Sequence, residues 1–295
     1  MWAGSDLFSK MGTNPKDKYS HLRIVIVVGL VMGIHALFEI ITSNEVYNPI
    51  NMVKYFPVSI LYILSMTLGY AGLRYIELSV SSPICNSSGA IVVILCFFIL
   101  KETMSAFQAV AVAIICVGVV GLGVLEKRYS DQERALAGHE PEVKYSKSAV
   151  AILLPVAYCI LDALGTFADA LVLEGDVPMM TEFEANTSYE LTFFVAAVVA
   201  YIYLVFVRKQ TFRLFKEKIF IAGAVCETIG QFFYVFALAA NPIIAAPVIA
   251  SYSVGSVLLS RIVLKEKLKV PQYIVVALVL IGIAMLGVLD GLAEA

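Results

Sequence analysis

Charged residues are scarce in this sequence. Only 15% of its 295 residues are Asp, Glu, Lys or Arg, whereas 60% are hydrophobic and the mean hydropathy is +0.87. An ordinary soluble domain has about 25% charged and about 45–50% apolar residues. Because a water-soluble fold still exposes much of its surface, it could not bury so many apolar side chains. Lipid must therefore be the solvent for most of this chain.

Features of several functional classes are also missing. The net charge is only −2, which leaves nucleic-acid binding without an electrostatic basis. No Walker-type glycine loop occurs, and no polar stretch is long enough for an ATP-hydrolysing domain. The three histidines (His21, His35 and His139) are scattered and suggest no catalytic or metal constellation. We expect neither an enzyme nor a bound cofactor or metal.

The five cysteines all lie within apolar runs and form no CxxC pair. This placement is typical of small buried apolar side chains, not of disulfides or metal ligands. The residues are Cys85, Cys96, Cys116, Cys159 and Cys226.

Long apolar runs dominate what is present. A membrane-spanning helix needs about 17–25 residues, and nine runs approach that length after a short run at Met1–Met11. We predict an all-α integral membrane protein with ten transmembrane helices, of which the first is truncated. That short first helix favours a mis-assigned start. The nine runs are Leu22–Ile41, Pro57–Ile76, Ser81–Leu100, Ser105–Leu125, Ser148–Leu173, Thr187–Val207, Ile219–Ala239, Ile243–Leu264 and Pro271–Leu292.

The two halves of the chain repeat each other. An offset of 164 residues aligns Leu100-Lys101-Glu102 with Leu264-Lys265-Glu266, and an offset of 156 aligns Trp2 with Tyr158 and Asp6 with Asp162. One offset accounts for many matches over two helices, which argues against chance. We predict a first repeat at 1–125, a polar loop at 126–147 and a second repeat at 148–295. The 164-residue offset also aligns Pro83 with Pro247, Ser87 with Ser251, Gln108 with Gln272, Gly118 with Gly282 and Gly123 with Gly287.

Five helices per repeat is an odd number, so equivalent helices must run in opposite directions. Inverted repeats are used by many secondary transporters, whose substrate site lies near the midplane between the repeats. The alternative is a duplicated membrane scaffold with no transport role.

The distribution of basic residues predicts an orientation. All Lys and Arg residues except Lys54 and Lys101 follow odd-numbered helices, and the loop Glu174–Glu184 is acidic. The positive-inside rule then places the odd-numbered loops in the cytoplasm and both chain ends outside. The sequon Asn186-Thr187-Ser188 is interpreted as a chance match.

Carboxyl groups within the apolar runs are the strongest candidates for a functional site. An ionisable side chain in the hydrocarbon region is costly and marks function by default. Asp6, Asp162 and Glu227 lie near the middle of their runs, and no Lys or Arg does. Since desolvation disfavours a charged carboxylate, such a group suits proton coupling or binding of a cation. The alternative is that each acid only joins helices by hydrogen bonds.

Further polar and aromatic residues complete the candidate set. Gln231 shares a helix face with Glu227, and a cation over an aromatic ring gains about 0.5–2 kcal/mol. His35 and Glu39 are spaced to share a proton, although a satisfied core histidine is the alternative. The predicted substrate-binding or proton-coupling residues are Asp6, Asp162, Glu227, Gln231, Tyr158, Tyr252, Asn86, His35 and Glu39.

The Leu-Lys-Glu motifs carry a family resemblance. Each is followed by a glycine-rich helix ending in Gly-Val-Leu and preceded by a helix that we expect to start at Pro83 or Pro247. In these features the chain resembles the EamA-type members of the drug/metabolite transporter superfamily, which have two five-helix repeats. The resemblance implies a secondary transporter, with a substrate class that varies widely. Members usually keep both termini in the cytoplasm, so the orientation stays open.

Together these observations predict a secondary transporter for a small cationic or zwitterionic metabolite, such as an amine or amino acid. Alternating access at a midplane cavity would be driven by protons or exchange. The alternative is a transporter of an anionic or neutral compound such as a nucleotide sugar, which the absence of midspan Lys or Arg disfavours. The expected setting is the plasma membrane of a prokaryote, as a monomer or homodimer.

Overall fold

The described part of the protein is a bundle of helices without a strand. The computed structural model describes residues 1–43, 45–100, 105–137, 148–173, 179–240 and 252–293. The prediction of an all-α chain is confirmed for these residues. Their helices are α1 (Trp2–Gly12), α2 (Ser20–Thr42), α3 (Ile50–Lys54), α4 (Phe56–Gly72), α5 (Leu78–Cys85), α6 (Ser88–Leu95), α7 (Ala106–Ala137), α8 (Ser148–Leu173), α9 (Glu182–Ile202), α10 (Lys218–Ala240), α11 (Tyr252–Ile262) and α12 (Val270–Ala293).

Several of these helices have the length and apolar composition of membrane spans. Four stretches qualify fully: Ser20–Thr42, Leu78–Ile99, Ile152–Leu173 and Glu182–Val207. Three shorter helices are apolar over Phe56–Gly72, Ala106–Leu122 and Val270–Leu286. The total of ten transmembrane helices stays a prediction.

Glycines bring the central helices into close antiparallel contact. In lipid there is little hydrophobic drive between helices, so small residues that permit close backbone approach specify the interfaces. A Cβ atom at Gly29 of α2 would lie 2.4 Å from the carbonyl oxygen of Phe193 in α9, and one at Gly33 would lie 2.6 Å from the Phe194 ring. Gly29 and Gly33, one turn apart, thus allow α2 to approach α9 closely.

In two other helix pairs, an aromatic ring of one helix packs against a glycine of the other. Tyr158 of α8 lies on Gly69 of α4, where an added Cβ would be 2.7 Å from the ring. Trp2 of α1 lies on Gly230 of α10, where an added Cβ would be 2.8 Å from the indole. The α4–α8 and α1–α10 pairs are thus built in the same way.

The bundle has two chemically distinct ends. At the basic end, Arg23 pairs with Glu217 at 2.9 Å, and Lys10 Nζ donates to the carbonyl of Leu73 at 2.6 Å. At the acidic end, Asn51 donates to Glu184 at 2.6 Å. Helices α2, α5 and α10 begin at the basic end, whereas α4 and α9 begin at the acidic end.

Two details differ from the sequence predictions. Pro83 does not start a helix but lies inside α5, which begins at Leu78. The predicted polar loop 126–147 is helical up to Ala137, because α7 continues past its apolar part. The expectations that involve Lys101, Glu102, Pro247 and Ser251 lie outside the described residues.

The sequon interpretation agrees with the structure. Asn186 is buried within α9 and its amide donates to the Glu39 carboxylate at 3.3 Å. A buried helical side chain of this kind is not accessible to a glycosylating enzyme.

Candidate functional site: an acidic cavity between the helices

A cavity of about 520 Å³ lies among α1, α4, α5, α6, α8, α9, α10 and α11. Small-molecule sites generally occupy about 300–1,000 Å³. The structure brings most of the predicted site residues to this cavity. Those that line it are Asp6, Asn86, Tyr158, Asp162, Glu227, Gln231 and Tyr252.

Asp6 of α1 is held by two hydroxyl groups. Ser82 of α5 donates to its Oδ2 at 3.1 Å, and Ser256 of α11 donates to the same oxygen at 2.7 Å. Asn86 in turn donates to the carbonyl of Ser82 at 2.9 Å. Because both hydroxyls contact one oxygen, these two bonds leave the second carboxylate oxygen for another partner.

Asp162 and Glu227 each have a serine partner. The Ser88 hydroxyl at the start of α6 bonds Asp162, and the Ser5 hydroxyl of α1 bonds Glu227. Hydroxyl donors stabilise a carboxylate but do not neutralise its charge. Both acids therefore remain available for a proton or a cationic group.

Aromatic side chains form part of the wall. Trp2 and Tyr252 meet edge to face, with ring centroids 5.5 Å apart. Tyr62 and Tyr189 do the same at 5.9 Å. The Tyr70 hydroxyl is buried at the cavity and has no hydrogen-bond partner among the described residues, which leaves it free to donate to a molecule in the cavity.

Two acidic wall residues were not in the predicted set. Asp169 accepts a hydrogen bond from Tyr55 at 2.6 Å and a longer one from Tyr62 at 3.4 Å. Glu182 lines the cavity where α9 begins. The signal for Asp169 was its position two helical turns after Asp162, which places both on one face of α8.

The charge of the wall is strongly one-sided. Among the described residues that line the cavity there are five carboxyl groups and no Lys, Arg or His. A cation is the charged species that such a wall attracts, because a carboxylate gains from an opposite charge nearby. The acids are Asp6, Asp162, Asp169, Glu182 and Glu227.

The cavity reaches the surface at the acidic end of the bundle, since Glu182 both lines it and is exposed. The basic end is crossed by direct contacts. Lys10 Nζ donates to the carbonyls of Leu73 and Ile76, and Arg74 donates to the carbonyl of Pro15 at 2.7 Å. Polar contacts thus join the α1 region to the α4–α5 connection at the basic end.

Two predicted site residues lie elsewhere. His35 and Glu39 do not line the cavity but face α9 beside it. His35 Nδ1 contacts both carboxylate oxygens of Glu190, at 2.9 and 3.0 Å, so the expected His35–Glu39 pairing is replaced by a contact between helices. Residue spacing along α2 could not predict Glu190 as the partner of His35, because Glu190 lies on a different helix.

Comparison with known proteins gives a family and a fold. The sequence model of the EamA-like transporter family matches residues 1–124 and 178–288. A solved structure described only as "Crystal structure of protein" aligns with a TM-score of 0.54 at 16% identity, covering 99% of this chain and 96% of the other. That likeness concerns the fold alone. None of the curated proteins matches the chain.

Proposed function

Because the chain belongs to the EamA-like transporter family, a family of membrane transporters of small molecules, we propose that it carries a small cationic or zwitterionic metabolite. An amine or an amino acid is the substrate class, and the acidic cavity is the binding site. The single observation that carries this proposal is the wall of five carboxyl groups without a basic residue among its described members. The proposed setting is the plasma membrane of a prokaryotic cell.

The proposed architecture is two inverted five-helix repeats, 1–125 and 148–295, around the cavity. The ring-on-glycine contacts support it, because the 156-residue offset aligns Trp2 with Tyr158 and each of these rings packs on a glycine of the other half, Gly230 and Gly69 respectively. Helix direction supports it as well: α2 begins at the basic end and its counterpart α9 at the acidic end. Two near-equivalent halves give two states of similar energy, which alternating access requires.

Each cavity acid has a proposed role. Asp6 and Asp162, in equivalent positions, bind the amino or ammonium group of the substrate. Glu227 exchanges protons, assisted by Gln231 one turn further along α10. A desolvated carboxyl favours its neutral form when the cavity is closed and dry, and it ionises when water enters. Movement of the cavity from one side to the other can thus carry a proton.

The aromatic residues contribute the rest of the binding energy in this proposal. A cation over Trp2, Tyr158 or Tyr252 gains about 0.5–2 kcal/mol. Asn86 and the hydroxyl of Tyr70 supply neutral hydrogen-bond groups, which suit the carboxylate of a zwitterion. The cavity then selects a compact molecule that carries a positively charged group.

A phosphate-bearing substrate such as a nucleotide sugar is the alternative. It would place negative charge among carboxylates, and sites for phosphate normally supply Arg or Lys. The one-sided wall therefore disfavours it, although nucleotide sugars belong in any substrate screen.

The test starts with the purified protein in detergent. Amines, amino acids and nucleotide sugars are screened by thermal shift, since a ligand that binds the native state at 100 times its Kd stabilises it by about 2.7 kcal/mol. Hits are then measured as uptake into proteoliposomes. We expect amines or amino acids to stabilise and to be taken up. Stabilisation and uptake of nucleotide sugars alone would overturn the proposed substrate class.

A further inference from the structure

A second polar cluster lies outside the cavity, between α2 and α9. His35 Nδ1 is 2.9 Å from Glu190 Oε2 and 3.0 Å from Glu190 Oε1. One ligand atom each from His35, Glu39 and Glu190 lie within 4.8 Å of one another. We propose that this cluster is a binding site for a divalent metal ion of the zinc or manganese type.

The fourth member of the cluster is Asn186. Its side-chain nitrogen donates to Glu39 Oε2 at 3.3 Å and also bonds the Glu190 carboxylate, so the nitrogen of this amide faces the cluster. Its Oδ1 is buried and has no hydrogen-bond partner among the described residues, and the whole residue is only 8% exposed. A buried carbonyl oxygen without a donor is costly, and a half-turn of the Asn186 amide would present this oxygen to a bound metal ion.

The helices supply the four groups with regular spacing. His35 and Glu39 are one turn apart on α2, and Asn186 and Glu190 are one turn apart on α9. Residues four apart lie on one helix face, and the antiparallel helices meet where Gly29 contacts Phe193. Each helix therefore offers two ligands from a rigid backbone, as in metal sites within helix bundles.

The charge of the cluster favours a cation. Glu190 is completely buried, and with both carboxylates ionised the cluster carries net negative charge even when His35 is protonated. Charged groups at membrane depth require a partner, and the remaining negative charge of the cluster is met by a divalent ion.

The donor set indicates which ion. Imidazole together with carboxylate oxygens suits zinc and related transition metals, whereas magnesium and calcium prefer oxygen alone. Zinc binds imidazole nitrogen at about 2.0–2.1 Å and carboxylate oxygen at about 2.0–2.2 Å. Since the ligands must be deprotonated, the proton shared by His35 and Glu190 leaves to solvent as the metal enters.

A bound ion would join α2 to α9 near the acidic end of the bundle. Asn186 also lines the cavity, so the metal site and the substrate site share a wall. This consequence rests on the proposed transport function; metal binding itself does not. Zinc is then expected to slow transport by restraining α2 against α9.

The experiment measures zinc binding to the purified full chain after removal of any affinity tag. Isothermal titration with ZnCl₂ is run in two buffers of different ionisation enthalpy, so that proton release is detected. We expect one zinc per chain with release of a proton, and little competition from excess MgCl₂. Absence of zinc binding to the wild-type chain would overturn the proposal.

Variants locate the site. Glu190→Gln and His35→Gln should each weaken zinc binding by about tenfold or more, whereas Glu45→Gln, a change at an exposed loop residue, should not. Because Glu190→Gln alters a buried group, Glu39→Gln at a half-buried position serves as the second variant, with thermal unfolding in the absence of zinc to verify folding. Zinc binding that is unchanged in folded His35→Gln and Glu39→Gln would refute this site. Since no transport is measured, the result is separate from that of the substrate test.

Discussion

Glu266 accepts two hydrogen bonds from Ser79, one from the backbone N–H at 3.0 Å and one from the hydroxyl at 2.7 Å. Its other oxygen accepts the N–H of Leu78 at 2.9 Å. Leu78 and Ser79 are the first residues of α5, whose first N–H groups have no partner within the helix. The carboxylate thus caps a helix of the other half of the chain, on the basic side of the cavity.

Glu266→Ala should therefore make the cavity more accessible from the basic end of the bundle. Hydrogen bonds to a charged group contribute about 1.5–3 kcal/mol, so loss of this cap should raise access to the cavity by about tenfold or more. The reporter is Cys85, which lines the cavity, retained as the single cysteine. Its alkylation by an impermeant maleimide is timed separately from each face of oriented vesicles.

The matched control is Lys267→Ala, which changes an exposed neighbour of Glu266. It should leave both labelling rates unchanged. If Glu266→Ala folds normally and Cys85 is labelled at the wild-type rate from both faces, the cap does not restrain the closed side.

Asp162→Asn and Glu227→Gln test the proposed division of roles in the cavity. Asp162→Asn removes a charge that faces the substrate, so it should weaken binding of the amine by about tenfold or more, as expected for loss of a close opposite charge. Glu227→Gln should preserve binding but abolish substrate-dependent proton flux, because an amide cannot exchange the proton. Binding is measured by thermal shift and proton flux by a pH-sensitive dye inside proteoliposomes.

Glu45→Gln serves as the control for these two variants, because Glu45 is an exposed loop residue away from the cavity. Wild-type binding and wild-type proton flux in both cavity variants would refute the acidic site. If only the proton flux of Glu227→Gln were normal, another acid of the cavity would have to exchange the proton.

The sequence was informative where membrane physics restricts the residue choice. An acid such as Asp162 or Glu227 in the middle of an apolar run needs a polar surrounding, and both acids line the cavity. The offset of 156 likewise aligns Trp2 with Tyr158, and each of these rings packs on a glycine of the other half.

Residue spacing in the sequence could not predict contacts between distant segments of the chain. His35 and Glu39 are neighbours on one helix, yet His35 contacts Glu190, because the close approach of α2 and α9 brings a buried carboxylate within reach. In the same way, α5 begins at Leu78, well before Pro83, because Glu266 from another segment satisfies its first N–H groups. The Leu-Lys-Glu motif itself did not reveal that partner.

Gly29→Ala should destabilise the bundle. Its new methyl group would lie 2.4 Å from the carbonyl oxygen of Phe193 and 2.6 Å from Ala197 Cβ, so α2 and α9 would have to separate. Overpacking of this kind costs about 1–3 kcal/mol. Gly89→Ala is the control, because nothing lies within 4 Å of its added Cβ. Thermal unfolding in detergent measures both, and equal midpoints for the two variants would contradict the packing role of Gly29.

Gly69→Ala and Gly230→Ala examine the equivalence of the two halves. A methyl group at Gly69 would lie 2.7 Å from the Tyr158 ring, and one at Gly230 would lie 2.8 Å from Trp2. Each substitution must displace an aromatic ring that lines the cavity, so each should weaken ligand binding, and by similar factors if the halves are repeats. Gly72→Ala is the control on the same face of α4, because its nearest contact, at 3.4 Å, is ordinary. Titration of the ligand found in the thermal-shift screen gives the three Kd values. A large loss in one aromatic-facing variant with none in the other would argue that the two contacts are not equivalent.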